Sequence, residues 1–151
     1  MFADSISAAD RTYREFACWA ARRAAKIAKV GSDYPILLVV EKYLRGEIEF
    51  DEVLAARKNC DGGAGAIGAA ARRVGVIGRL DAGKKVLYLI SPSAAAHLTA
   101  FSCADDSAKQ AAERAIQYGA LTARNANRWS AVSSEGKERA FLEAELQNRL
   151  E

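Results

Sequence analysis

The chain has little of the chemistry that builds metal and disulfide sites, since its 151 residues include three cysteines and one histidine. Cys18, Cys60 and Cys103 are widely spaced and odd in number, so they make a poor disulfide framework and indicate a reducing cytoplasm. His97 has no second histidine or cysteine pair to complete a zinc site. We therefore expect no metal or other cofactor, and we expect His97 to be a helix residue with a local hydrogen bond.

Long apolar runs are also missing. No uninterrupted apolar run approaches the ~20 residues that a membrane helix needs, so the sequence predicts no membrane span. Residues 1–5 contain no basic region that leads into an apolar run, which predicts that there is no signal peptide. The net charge of +3 is too small to imply nucleic acid by itself. These features predict a cytoplasmic protein with neither membrane nor nucleic acid as its partner.

Only two prolines and eleven glycines interrupt a chain that is half hydrophobic. Its length fits one domain, residues 1–151. Much of the apolar half is alanine, which buries little area per residue. Such a core needs closely approaching helices or help from a partner surface, including a second copy of the chain. The sequence predicts an all-α fold, a single Ala-rich helical bundle of about six or seven helices.

The first helix is predicted from a 3.6-residue period. One face carries Tyr13, Phe16, Ala17, Ala20, Ala24 and Ile27. The opposite face carries Arg11, Glu15, Arg22, Lys26 and Lys29. Ser7 and Asp10 resemble a capping pair at its start, and Gly31 suits the left-handed position just past its end.

The second helix is predicted over residues 36–44, with Ser32 and Asp33 as caps and Pro35 in its first turn. This segment is apolar nearly all round, which predicts a buried helix that forms the hydrophobic axis of the fold. The alternative is a buried strand at 36–40, because Ile and Val favour strands. The apolar pattern continues unbroken to Gly46, which favours the helix.

The third helix should begin between Ile48 and Val53, which are spaced as a hydrophobic staple, and it should end near Asn59. Residues 84–90 suit either a strand or a helix. A single strand would have no partner, so we favour a helix there.

Three more helices are predicted in the second half of the chain. Pro92 precedes a helix over 93–103, and a longer helix runs over 108–128, where Gly119 weakens the centre by about 1 kcal/mol relative to Ala. Ser133 and Ser134 are the predicted caps of the last helix. Its stripe repeats at four-residue steps: Leu142, Leu146 and Leu150.

Residues 63–68 match the dinucleotide-binding pattern G-x-G-x-x-G. That function needs a preceding strand and an acid about twenty residues on, whereas the preceding residues look helical and Asp81 comes early. A Gly-rich loop followed by a tightly packed helix is the simpler interpretation. The alternative function is a nucleotide- or anion-binding domain that uses the Gly-rich segment 62–68 and basic residues near it.

An enzyme is less favoured by the sequence than a binding protein. A thiol enzyme would need a base beside one of the cysteines. His97 and Cys103 are six residues apart and do not share a helical face. The sequence shows no other nucleophile–base or metal constellation.

Several segments resemble a family of Ala-rich helical proteins from bacteria and prophages. They are FACWAARR at 16–23, EKYLRGEI at 41–48 and LAAR at 54–57, with a further likeness over 120–150. Some members of that family are described as immunity proteins of toxin systems. The resemblance implies an all-helical fold and neutralisation of a toxin-like protein by binding, and it supplies no catalytic residues. The chain departs from the family at 74–90, where glycines and branched apolar residues replace the family's Ala-Ala-Arg runs.

The binding surface predicted from the sequence is a strip on the first helix. It consists of Trp19, Arg22, Arg23 and Lys26, with Arg72, Arg73 and Arg79 as its extension. Tryptophan and arginine are enriched at interface hot spots, and this charge suits an acidic protein surface. On this hypothesis, charge reversal at Arg22 and Arg23 leaves the melting temperature nearly unchanged. Pairing with acids such as Glu41 or Glu52 would instead make these arginines structural.

Overall fold

The fold is known from a computed structural model that describes residues 6–60 and 87–151. Six α-helices lie wholly within these two stretches, which contain no strand, and a 3-10 turn (Arg128–Ser130) precedes the last helix. The helices are α1 (Ala8–Ile27), α2 (Pro35–Leu44), α3 (Phe50–Lys58), α4 (Pro92–Ser102), α5 (Ala108–Ala126) and α6 (Ala131–Leu150). The all-α prediction is therefore confirmed. The alternative strand at 36–40 is wrong, and residues 87–89 of the ambiguous segment are helical.

The centre of the bundle is the contact between α1 and α5. Helix α5 also packs against α4 and α6, and one buried cluster contains residues of all six helices. Alanines that are at most 1% exposed lie on both helices: Ala17, Ala20, Ala21 and Ala24 on α1, and Ala111, Ala112 and Ala115 on α5. Because alanine has only a methyl side chain, these residues allow the two helices to pack closely.

The prediction that residues 36–44 form the axis of the fold is wrong. Helix α2 packs mainly against α3 and the side of α1. Ile36, Leu37 and Val40 are buried there, but Leu38 on the opposite side is exposed. The physical reason is size: large aliphatic side chains fill the flank of the bundle, whereas small ones are required where the helices come closest.

Three of the six described helices begin at a serine whose side chain accepts a backbone hydrogen bond: Ser7, Ser91 and Ser107. The Ser7 Oγ accepts a hydrogen bond from the Asp10 amide at 3.1 Å, and Pro35 occupies the first turn of α2. The residue before Pro35, Tyr34, takes the N-cap position without a side-chain bond, so the predicted caps at 32 and 33 are wrong. The predicted serine caps at 133 and 134 are also wrong, because α6 begins at Ala131.

Two helix ends use a residue in the left-handed conformation. After α2 this residue is Gly46 (φ 76°), and after α1 it is Lys29 (φ 59°) rather than the predicted Gly31. In both ends the amide of the following residue bonds back across the last turn: Val30 to the Ala25 carbonyl and Glu47 to the Lys42 carbonyl, each at 3.0 Å. The backbone geometry is thus the same at both ends, but only one has the residue that suits it.

Substitutions at these two helix ends should change the free energy of unfolding in opposite directions. Lys29→Gly should raise the free energy of unfolding by about 0.5 kcal/mol, because glycine relieves a strain of about 1 kcal/mol and loses more chain entropy on folding. Gly46→Ala should lower it by about 1 kcal/mol, because a Cβ disfavours this conformation. Urea denaturation of both variants measures the difference. Equal effects of the same sign would contradict this account of the helix ends.

Helix α6 is held on α5 by a fit between Leu142 and Gly119. Leu142 is fully buried, and a Cβ added at Gly119 would lie 2.9 Å from its Cδ1 atom. The glycine that lowers the helix propensity of α5 therefore provides the space into which α6 packs.

The Leu142→Ala substitution should lower the free energy of unfolding by about 2–5 kcal/mol, because it leaves a cavity between α5 and α6. The matched control is Leu150→Ala on the same helix, where the side chain is partly exposed; we expect a change of less than about 1 kcal/mol. Thermal and urea unfolding measure both values. If the two losses were equal, Leu142 would not be the residue that anchors α6.

Within residues 6–60 and 87–151, no helix combines the length and the apolar character that crossing a bilayer requires.

Candidate functional site

Trp19, the predicted anchor of the α1 strip, is half-buried between α1 and α6. Its ring centroid lies 5.8 Å from that of Phe16 and 6.1 Å from that of Phe141. The guanidinium of Arg149 lies over the indole, 5.1 Å from its centroid. These contacts make Trp19 part of the packing between the two helices, with one edge accessible.

The two arginines of the strip form ion pairs within the protein. Arg22 donates to the Glu41 carboxylate at 2.6 Å, which is one of the pairings named above as the structural alternative. Arg23 donates to both carboxylate oxygens of Glu138, at 2.6 and 3.0 Å, and these bonds raise the pKa of Arg23 above its usual value. Lys26 is exposed and forms no ion pair with another described residue.

The Arg23–Glu138 pair should contribute to stability, because Glu138 is only 9% exposed and Arg23 supplies both of its charged hydrogen bonds. We expect Arg23→Ala to lower the free energy of unfolding by at least about 1 kcal/mol, since it leaves a buried carboxylate unpaired. Lys26→Ala, three residues on, is the control and should change it by no more than about 0.5 kcal/mol.

The double variant Arg23→Ala/Glu138→Gln sharpens this test. It removes the unpaired charge and should recover part of the lost stability in the same urea titration. An Arg23→Ala protein as stable as the Lys26→Ala control would show that the ion pair is dispensable and that Arg23 is available for a partner.

The remaining predicted site residues lie outside the described part of the chain. These are Arg72, Arg73 and Arg79, together with the Gly-rich segment 62–68. The nucleotide- or anion-binding alternative depends on them and stays a prediction.

The most exposed large apolar side chains lie elsewhere, at the corner between α5 and α6. Trp129 in the 3-10 turn is fully exposed, and Val132 in the first turn of α6 is 73% exposed. Gly136, Ala140 and Ala144 continue from Val132 at four-residue steps, and all three are exposed. We call these five residues the α6 ridge. The four ridge residues that belong to α6 lie on the side of this helix opposite to Glu138 and Leu142, which are buried.

Basic side chains flank the α6 ridge. Arg128, Lys137 and Arg139 are exposed, and none of them forms an ion pair with another described residue. The nearby acids of α6 are already paired with other helices: Glu138 with Arg23, and Glu135 with Arg124 at 3.0 Å. The first half of α6 therefore presents apolar side chains beside positive charges that have no partner within residues 6–60 and 87–151.

The sequence analysis missed this surface because it placed the binding strip on the first helix. The sequence did contain a signal for this surface. The leucines at four-residue steps form the buried face of α6, and Trp129 and Val132 are large apolar residues that do not belong to that face.

His97 is a helix residue, as predicted, but the prediction of a local hydrogen bond is wrong, because its partner is distant in sequence. The Cys60 Sγ, just past the end of α3, lies 3.7 Å from the His97 Nε2. The ring of Tyr34 stacks on the imidazole with centroids 5.2 Å apart. The sequence comparison of His97 with Cys103 therefore chose the wrong cysteine, because spacing along the chain cannot show which helices pack together.

The other two cysteines are buried in the core. Burial raises the pKa of the Cys103 thiol well above its usual value, and the neighbouring Cys18 adds to the effect. No group of three histidine, cysteine or acidic residues that would bind a metal occurs in the described stretches. Comparison with protein-family models, with curated proteins and with solved structures finds no match to this chain.

Proposed function

We propose that this protein is a protein-binding module of the immunity type, and that it binds an acidic surface of a toxin-like partner through the α6 ridge. The single observation that carries the proposal is Trp129, which is fully exposed beside the 73% exposed Val132. The likeness to Ala-rich immunity proteins supports the kind of partner. A reducing cytoplasm is the compartment that suits its free cysteines.

Energetics support Trp129 as an interface anchor. A large aromatic side chain removes about 150–250 Å² from water when it is buried. At about 25 cal/mol per Å² this contributes roughly 4–6 kcal/mol, from which the cost of association must be subtracted. Large exposed apolar patches rimmed by polar residues mark interaction sites, and Trp129 and Val132 are the two most exposed large apolar side chains among the described residues.

The small residues of the ridge favour a helix as the partner element. A Cβ added at Gly136 would meet no atom within 4 Å. With Ala140 and Ala144 following at four-residue steps, a partner helix can lie close to the α6 backbone. This is the same close packing that the alanines provide between α1 and α5.

The flanking charges favour an acidic partner. Arg128, Lys137 and Arg139 would lie at the rim of the contact, where charges mainly set association rate and specificity. Binding should therefore weaken as salt concentration rises. Trp19, Arg22 and Arg23 have structural roles in this proposal, since their contacts are made within the bundle.

The partner predicted here is the product of a toxin-like gene adjacent to the gene for this protein. The Trp129→Ala substitution should weaken binding to that purified protein by about 30-fold, because a hot-spot residue contributes about 2 kcal/mol or more. The melting temperature of the Trp129→Ala variant should equal that of the unsubstituted protein. Isothermal titration calorimetry measures the affinity, and co-expression with the toxin shows whether protection is lost.

The matched control is Leu38→Ala, which removes an exposed apolar side chain from a different helix, α2. It should leave affinity and protection unchanged. Lys137→Glu should slow association at low salt, whereas Lys42→Glu, on α2, should not. The proposal fails if no toxin-like protein binds, or if Trp129→Ala and Leu38→Ala weaken binding equally.

A further inference from the structure

Cys60 and His97 meet across two helices that are far apart in sequence. Cys60 follows the C-cap of α3, and His97 lies in the middle of α4. Their Sγ and Nε2 atoms are 3.7 Å apart, within hydrogen-bonding distance for sulfur. In the tautomer whose Nε2 is unprotonated, the thiol donates to the imidazole. Tyr34 stacks on the ring at an interplanar angle of 15°, which fixes its orientation.

The pair opens into an apolar cavity of about 380 Å³ between α2, α3 and α4. Aliphatic side chains form its walls: Pro35, Ile36, Val39 and Ala56. Asn59, Cys60 and His97 supply its polar atoms, and no charged side chain among the described residues lines it. A cavity of this size and lining suits a small neutral molecule.

We propose that Cys60 is a covalent modification site for small, neutral α,β-unsaturated carbonyl compounds, with His97 as the base that activates the thiol. This site lies apart from the α6 ridge and does not depend on the proposed binding function.

The chemistry requires no oxidant, metal or further reactant. The His97 Nε2 accepts the thiol proton as the Cys60 sulfur attacks the β-carbon of the electrophile. A C–S bond forms, and the electron pair of the C=C bond moves toward the carbonyl group. The proton on His97 then returns to the α-carbon, which gives a saturated thioether and a neutral imidazole. The aliphatic walls bind the carbon skeleton while this occurs.

The three cysteines of this protein provide their own comparison. Cys60 is partly exposed at the cavity, whereas Cys18 and Cys103 are 5% and 0% exposed. Burial keeps the thiol of Cys103 protonated, and neither buried sulfur can be reached by a reagent in the folded protein. Modification of the native chain should therefore occur at Cys60 alone.

The experiment treats the full-length protein at pH 7 with two maleimides of equal reactivity. One is N-ethylmaleimide, which is neutral, and the other carries a carboxylate on the ethyl group. Peptide mass spectrometry measures the rate at each cysteine, and a short peptide with the sequence around Cys60 gives the reference rate. Cys60 should react about 10-fold or more faster than the peptide with the neutral reagent, since a positioned base contributes 10²–10⁴-fold in enzymes. With the charged reagent, the rate at Cys60 should exceed the peptide rate by a much smaller factor.

Two variants assign the roles. Cys60→Ser should abolish labelling of the native protein, and His97→Gln should lower the Cys60 rate to that of the peptide while Cys18 and Cys103 stay unlabelled. Labelling of Cys18 and Cys103 would show that the variant is unfolded. In that case the proposal is tested by the comparison of the two reagents on the unsubstituted protein. The proposal is overturned if Cys60 reacts no faster than the peptide. It is also overturned if the rate at Cys60 exceeds the peptide rate by the same factor for both reagents. It is also overturned if a folded His97→Gln protein reacts at the unsubstituted rate.

Discussion

The close approach of α1 and α5 through alanine is the constraint on which the other features of this structure depend. Seven alanines on the two facing helices are buried almost completely. Each contributes little hydrophobic area, so stability has to come from the many dispersion contacts that close packing allows. Larger side chains complete the same core, with Ile36, Leu37 and Val40 of α2 on the flank and Leu142 beside Gly119.

Charged side chains complete the packing that small residues leave open. The buried Arg14 on α1 donates to the main-chain carbonyls of Cys103 and Asp106, at 3.0 and 3.1 Å. It thereby satisfies carbonyls between α4 and α5, and burial lowers its pKa. Arg23 joins α1 to α6 through Glu138 in the same manner. Arg14 and Arg23 of α1 therefore hold helices together.

The two candidate sites arise at the margins of this bundle. Trp129 is exposed because the chain turns between α5 and α6 at a point where neither helix covers it. Cys60 meets His97 because the end of α3 lies against α4, beside the flanking helix α2. Both candidate sites therefore lie outside the contact between α1 and α5.

The sequence by itself determined the helices, because helix periodicity, the Ser7 cap, Pro35 and the left-handed Gly46 act within a few residues. The alanine content also determined that the helices must approach closely. Only the tertiary structure decided which helices became neighbours: it paired Arg23 with Glu138, brought Cys60 to His97, and left Trp129 uncovered. The physical reason is that capping and periodicity are local, whereas these contacts join residues distant in sequence. Such contacts depend on packing among helices whose apolar faces are too alike to specify their partners.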